Sequence, residues 1–287
     1  MLKLREVEEC LYPQSIQEAT IMLQERGDKA RIVGGGLHLA VFPNPSIKTL
    51  IFLNKLNLNY VKETDSKIII GAETTISSLA ELSVMKKYLK GSVKNILDHI
   101  ASQLLRNQIT IGGSIAQREP YSDITSIFSC LNAYIVFNNG REELTININD
   151  FYKSNFREML KGMVIKEVEV EKFSSAYKFG MERFIRNATD IPLLNIAILS
   201  KINGNVLEEN NVTIGSRPGP SERFSPGEEF LNGRIISDSL IKDFRDFVSL
   251  NAPIEGDIRV SKEYRSEIAG VFAKTILKGF MEAQNEG

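Results

Sequence analysis

Apolar and polar positions along the chain alternate between two periods, and the switches between them lay out the elements. Ile16, Ala19 and Leu23 recur at helical spacing, Ser15 and Glu18 stand at capping-box positions, and Gly27 ends the pattern. Ala30 to Val33 reads as a short strand running into Gly34-Gly35-Gly36. "TLIFL" (49–53) is a second apolar strand, and "NYVKE" (59–63) and "KIIIGA" (67–72) flank the turn-like Thr64-Asp65-Ser66. Ile76, Leu79 and Leu82 mark a helix after Thr74-Thr75. Val93, Ile96, Leu97, Ile100 and Leu104 predict another, running from about Ser92 to Leu105. The segment "ITIGGSIA" (109–116) then reads as an apolar β run interrupted by Gly112-Gly113.

Ile124, Ile127, Phe128 and Leu131 form a further helical stripe, "AYIVF" (133–137) a strand ending at Asn139-Gly140, and "MVIKEVEVEK" (163–172) an alternating strand with an exposed face. The texture changes near 172–176, where a domain boundary is expected. "LLNIAILSKI" and "VLEENNVTIG" flank Asn203-Gly204, a strong hairpin signal. A loop rich in Pro, Gly and Ser (216–227) leads to three helical stretches, around 226–232, 239–250 and 261–282. Tyr264, Ile268, Val271, Phe272 and Ile276 make the expected stripe of the last. The first βα unit and the hairpin point to an α+β chain.

Composition narrows the chemistry. Thirty-five basic and 36 acidic residues leave a net charge of −1, which gives no global attraction to nucleic acid or anionic membrane. No apolar run approaches the ~20 residues of a bilayer span, and the N-terminal "MLKLREVEECLYP" lacks a signal peptide's hydrophobic core, so a cytoplasmic protein is expected. Two cysteines, Cys10 and Cys130, and two histidines, His38 and His99, cannot furnish a disulfide framework or a Cys/His metal site. Cys130 is expected to be buried and inert, His99 to be solvated, and no nucleophile–base pair stands out.

The two glycine clusters remain. Backbone without Cβ lets N–H groups converge on an anion, so 34–36 and 112–113 could grip the two phosphates of a dinucleotide. They could equally be plain turns. "GGGLHL" is no Rossmann fingerprint, because leucine stands where the third glycine belongs. Asp123 precedes a helical stripe, which makes it an N-cap candidate, with a ribose or adenine contact as the alternative.

"RNQITIGGSIAQREPYSD" (106–123) resembles the signature of the FAD-binding subunits of molybdenum hydroxylases, the family of xanthine dehydrogenase and carbon monoxide dehydrogenase. "RIVGGGLHLAVF" (31–42) is similar to that family's first flavin loop, and "IIIGAETTISSL" (68–79) to its Ile-Gly-Ala-x-Thr-Thr segment. "GDIRVSKEYRSEIAGVFAKTIL" (256–277) is similar to its last helix, where Ser-x-x-Tyr-Arg recurs. Leu37, His38, Ser114 and the charged "AQREPYSD" depart from the usual pattern, and backbone-mediated phosphate binding tolerates such changes.

The resemblance implies an FAD-binding domain of the PCMH or vanillyl-alcohol-oxidase type (1–172, subdomains about 1–54 and 55–172), then a C-terminal domain (173–287) with an antiparallel sheet and a helical bundle. It implies FAD contacts at Ile32, Val33, Gly34, Gly35, Gly36, Leu37 and His38, at Thr110, Ile111, Gly112, Gly113 and Ser114, and at Ile100, Asp123, Ile165 and Lys178. Backbone N–H groups of both loops are expected to bind the phosphates, with the Thr110 hydroxyl as a further donor. The implied function is electron transfer. A molybdenum-cofactor large subunit would hydroxylate a substrate, a [2Fe-2S] small subunit would relay electrons, and FAD here would pass them to NAD+ or another acceptor. The scarcity of cysteine fits an iron–sulfur cluster held by another chain. Two alternatives are a self-contained flavin reductase of the UDP-N-acetylenolpyruvoylglucosamine reductase type and a degenerate scaffold subunit without flavin.

Overall fold

The computed structural model describes residues 6–155, 158 and 161–285. The chain forms two compact units. The first comprises 1–79, 102–117 and 133–171, and the second 80–101, 118–132 and 172–287.

The first unit holds two sheets. Strands β1 (Glu9–Leu11), β2 (Ala30–Val33) and β3 (Thr49–Phe52) form a parallel sheet in the order β1-β3-β2. The helix Ile16–Arg26 makes the crossover from β1; Ser15 Oγ accepts from Glu18 N at 3.1 Å, and Gly27 stops it at φ +54°. Its inner face, with Ala19 buried, packs on Ala30, Ile51 and Leu53. Strands β4 (Val61–Glu63), β5 (Lys67–Gly71), β6 (Tyr134–Asn138), β7 (Glu143–Asn147) and β8 (Val164–Glu171) form an antiparallel sheet, β4-β5-β8-β6-β7.

The β8 strand is central, not merely half-exposed. Its alternating glutamates survive because they are paired: Tyr60 Oη donates to Glu167, and Lys67 Nζ lies 2.6 Å from Glu169 Oε2. A register shift between Val136 and Phe137 leaves Lys166 unmatched on β8, and its carbonyl accepts from Ala72 N at 2.9 Å.

The second unit is built on strands β9 (Tyr177–Phe184), β10 (Leu194–Asn203), β11 (Val206–Gly215) and β12 (Glu222–Arg223), antiparallel in the order β12-β11-β10-β9. Asn203 and Val206 close the expected hairpin, with Gly204 at φ +58°. Ile196, Ile198, Val212 and Ile214 meet Phe244 and Val248 of the helix Asp238–Asn251, and Ala269, Ala273 and Leu277 of the helix Lys262–Asn285. Each buried Ile, Val, Leu or Phe here contributes ~1.5–3 kcal/mol by leaving water, and each alanine less.

Three expectations are corrected. The helix over 92–105 is two helices, Ser92–Asp98 and Gln103–Arg106, broken where Ala101 turns to φ +49° and Ser102 Oγ caps the second. Leu104 is thereby turned out to solvent at 77% exposure. Residues 111–117 form a helix, not a strand, with Ile111 and Ile115 on its buried side. In the last helix the stripe is rotated: Tyr264 and Val271 are exposed, and the buried face includes Arg265. That guanidinium donates from Nε to the Leu193 carbonyl and from Nη1 to the Glu255 carbonyl, and its Nη2 lies 3.1 Å from Asp257 Oδ1 as an ion pair without a hydrogen bond, which offsets its burial within an otherwise apolar face.

Candidate functional site

The first glycine loop follows directly from β2. Ile32 and Val33 pair with Ile51 and Phe52 of β3, and Val33 is buried against Ile47 and Leu50. Beyond them, the N–H groups of Gly34, Gly35 and Gly36 make no hydrogen bond with the protein among the described residues. Gly36 sits at φ +74°, a left-handed conformation that turns the chain into the short helix Leu37–Val41. His38 stands in that helix with its ring 5.2 Å from Phe42. Unpaired donors in successive glycines are the backbone feature from which phosphate-binding nests are built.

The second loop serves a different purpose from the one expected. Its N–H groups are already engaged: Ile111 N donates to Thr74 O at 2.9 Å, Gly112 N to Ala72 O at 2.9 Å, Gly113 N to Thr110 Oγ1 at 3.2 Å, and Ser114 N to Thr110 O at 3.0 Å. The glycines here answer close approach. A Cβ on Gly112 would lie 2.6 Å from Ala72 Cβ, and one on Gly35 would overlap the Gln108 carbonyl. The second loop is thus the bed on which the first lies. Thr110 is buried, and its Oγ1 accepts from Gly113 N and donates to no protein acceptor among the described residues. Ile165 is buried at the β8 irregularity, paired with Phe137.

A carboxylate not singled out in the sequence stands between the two loops. The place of a Cβ on Gly34 lies 2.5 Å from Thr110 Oγ1 and 3.0 Å from Glu73 Oε1. Glu73 makes no side-chain hydrogen bond or ion pair with the protein among the described residues, and burial pushes its pKa up to about 7. The sequence signal was available: an acid directly after the apolar "IIIGA".

The second unit carries Ile100, Asp123 and Lys178. Asp123 is not the N-cap. Ser122 Oγ accepts from Thr125 N at 3.3 Å, and the Asp123 carboxyl turns inward. Its Oδ2 lies 2.7 Å from Arg183 Nη2, and its Oδ1 accepts from Asn195 Nδ2 at 2.9 Å. Burial raises its pKa against the opposing pull of Arg183 and Asn195. Asn195 Oδ1 in turn accepts from Ser126 Oγ at 2.7 Å. Arg183 Nη1 donates to His99 O at 2.8 Å, so one guanidinium fixes both Asp123 and the turn that carries buried Ile100. Lys178 lies on β9; burial lowers its pKa, and the Lys90 ammonium beside it adds to the shift. Arg183 and Asn195, 60 and more residues away in sequence, had no local signal.

Cys130 is buried, with its thiol pushed up to about 12 by burial, and exposed His99 bonds Asn95 O through Nδ1 at 2.6 Å. No helix among the described residues is long and apolar enough to cross a membrane.

Backbone N–H groups left without a protein acceptor, as in Gly34 to Gly36 among the described residues, are donors an anion can take up. Residues 5–171 match the family described as the FAD binding domain in molybdopterin dehydrogenase, and residues 176–279 match the CO dehydrogenase flavoprotein C-terminal domain. The chain is 29% identical over 276 residues to the glyceraldehyde dehydrogenase medium chain of Sulfolobus acidocaldarius, covering 94% of this chain and 95% of that one. It is 24% identical to the carbon monoxide dehydrogenase medium chain of Hydrogenophaga pseudoflava, covering 92% and 94%. In fold it resembles the solved carbon monoxide dehydrogenase of Hydrogenophaga pseudoflava (TM-score 0.87, 22% identity, 95% of this chain and 96% of that one). It likewise resembles quinoline 2-oxidoreductase from Pseudomonas putida (TM-score 0.84, 21% identity, 95% and 96%). With matches spanning both of its parts, the chain belongs to the FAD-binding medium subunits of the molybdenum hydroxylase family of oxidoreductases.

Proposed function

We propose that this subunit holds FAD with its pyrophosphate against Gly34, Gly35 and Gly36, and that it works beside a molybdenum-cofactor large subunit and a [2Fe-2S] small subunit. The observation that carries the reading is the set of three N–H groups in that loop with no protein acceptor among the described residues. Ile32, Val33, Leu37, His38, Thr110, Ile111, Gly112, Gly113, Ser114 and Ile165 shape the surroundings of the two loops. Assigning Ile100, Asp123 and Lys178 to the cofactor rests on the family resemblance, and we retain it as part of this proposal. Each oxygen of Asp123 keeps a lone pair beyond its protein partner, so a further donor is compatible with its network.

Bound FAD would supply the redox chemistry, taking electrons from the [2Fe-2S] partner and giving them to NAD+ or another acceptor. The chain's own residues bind, orient and shield; no side chain is assigned a proton-transfer step. The proposed functional division is an FAD-binding domain to about 172, with subdomains parting near 54, and a C-terminal domain from 173; it differs from the compact units, in which 80–101 and 118–132 group with the residues from 172 on.

The test is the flavin itself. The purified chain should show flavin absorption and release FAD, about one per chain, on denaturation. Gly113→Leu places a side chain beside Thr110 on the loop's open side, where a Cβ meets only Thr110 Oγ1 at 2.7 Å, and should abolish binding. A chain that takes up no FAD, alone or with its partner subunits, would sink the reading in favour of a scaffold.

A further inference from the structure

Glu73 is out of place in a phosphate-binding environment. Its carboxyl stands 3.0 Å from the position of a Gly34 Cβ, at the loop whose N–H groups are free, and no cation among the described residues neutralises it. The charged groups on the neighbouring elements are committed elsewhere. On β5 and β8, Lys67 pairs with Glu169, Lys166 with Glu143 and Glu167, and Glu167 also accepts from Tyr60. Arg106, ahead of the second loop, donates to Gln103 Oε1 at 2.7 Å. The imidazole of His38 stands just after the first loop, with its ring 5.2 Å from Phe42. Two anions cannot share such a half-buried site without strong repulsion.

We propose that Glu73 is a proton-coupled member of the dinucleotide site: the pyrophosphate is held at Gly34 to Gly36 only while the Glu73 carboxyl is neutral, so cofactor binding takes up a proton there. The inference rests on the FAD reading and deepens it. Burial without a counter-charge already pushes the free carboxyl to about 7, so the proton is taken up in the physiological range. Protonated, Glu73 becomes a hydrogen-bond donor at the loop and not a second anion. FAD retention then depends on pH through one residue of the protein.

The experiment is a set of FAD titrations by flavin fluorescence on the reconstituted apo-protein, for wild type, Glu73→Gln and His38→Gln, with circular dichroism confirming that each variant is folded. Wild-type Kd should rise about tenfold between about pH 6 and about pH 8, as expected when a group with pKa about 7 must be protonated for binding. Glu73→Gln should bind with little pH dependence and, near pH 8, about tenfold more tightly than wild type. His38→Gln should keep the slope whatever its effect on absolute affinity. Calorimetry near pH 7 in two buffers of different ionisation enthalpy should show about half a proton taken up by wild type and none by Glu73→Gln. A slope that survives in Glu73→Gln, or that disappears in His38→Gln instead, overturns the proposal. Absence of FAD binding in all three proteins at every pH, with the partner subunits present as well as without them, refutes the cofactor reading itself.

Discussion

Arg183 Nη2 lies 2.7 Å from Asp123 Oδ2, with 9% and 2% of the two side chains exposed. The pair joins residues 60 positions apart and is completed by Asn195 and the carbonyl of His99. Removing one member of such a pair leaves a buried charge uncompensated. Arg183→Leu should therefore lower stability by ~3–5 kcal/mol. Combining it with Asp123→Asn should recover a large part of the loss, because the remaining amide carries no charge. Denaturant unfolding of the two single variants and the double variant measures both effects, and additive losses would show that the pair is not energetically coupled.

Gly35 tests the contact between the two loops. A methyl group there meets the Gln108 carbonyl, and backbone cannot rotate aside as a long side chain would. Gly35→Ala should cost ~1–3 kcal/mol as an overpacking substitution and should lower flavin content. Gly279→Ala is the contrasting case. It lies in the interior of the helix Lys262–Asn285, where an added Cβ meets nothing within 4 Å, and should stabilise by ~0.5–1 kcal/mol. Thermal unfolding should move the two variants in opposite directions.

Glu73 also predicts a pH dependence of the apo-protein. Its pKa is about 7 in the folded chain and near the ordinary carboxylate value when unfolded. Between the two values the folded state binds the extra proton, so stability falls as pH rises through this window and levels off above it. The loss should be about 2–3 kcal/mol after allowance for residual solvent access. Unfolding of flavin-free wild type and Glu73→Gln, followed from about pH 5 to about pH 8, should show the slope in the first and not in the second.

The cysteines should divide cleanly. Cys10 is exposed, whereas Cys130 is buried with its thiol pushed up to about 12. A thiol reagent should modify one group in the native protein and two after unfolding. Rapid modification of both in the native state would contradict the packing of the helix Asp123–Cys130.

Local chemistry makes much of this protein legible from its residues alone. Ser15 and Gly27 mark the ends of the first helix because capping and left-handed turns are decided within a few residues. Asn203-Gly204 places the hairpin for the same reason, and the first glycine loop is visible because only glycine repeats so in a turn after a strand. Elsewhere tertiary contacts override the local pattern. "ITIGGSIA" reads as a strand, yet it is a helix, because Gly112 can press against Ala72 while Ile111 and Ile115 are buried. The stripe of the last helix is rotated by Arg265, whose charge is acceptable inside only because carbonyls of Leu193 and Glu255 and the Asp257 carboxylate come to meet it. The same holds at the site. Sequence points to both glycine loops, but which of them keeps free N–H groups is settled by where the backbone of residues 72–74 and 110 lies. Glu73 takes its significance from burial beside Gly34, and Asp123 takes its partners from strands 60 and more residues downstream. Periodicity records what a residue does to its near neighbours; which distant groups it must satisfy or repel is decided only when the chain closes on itself.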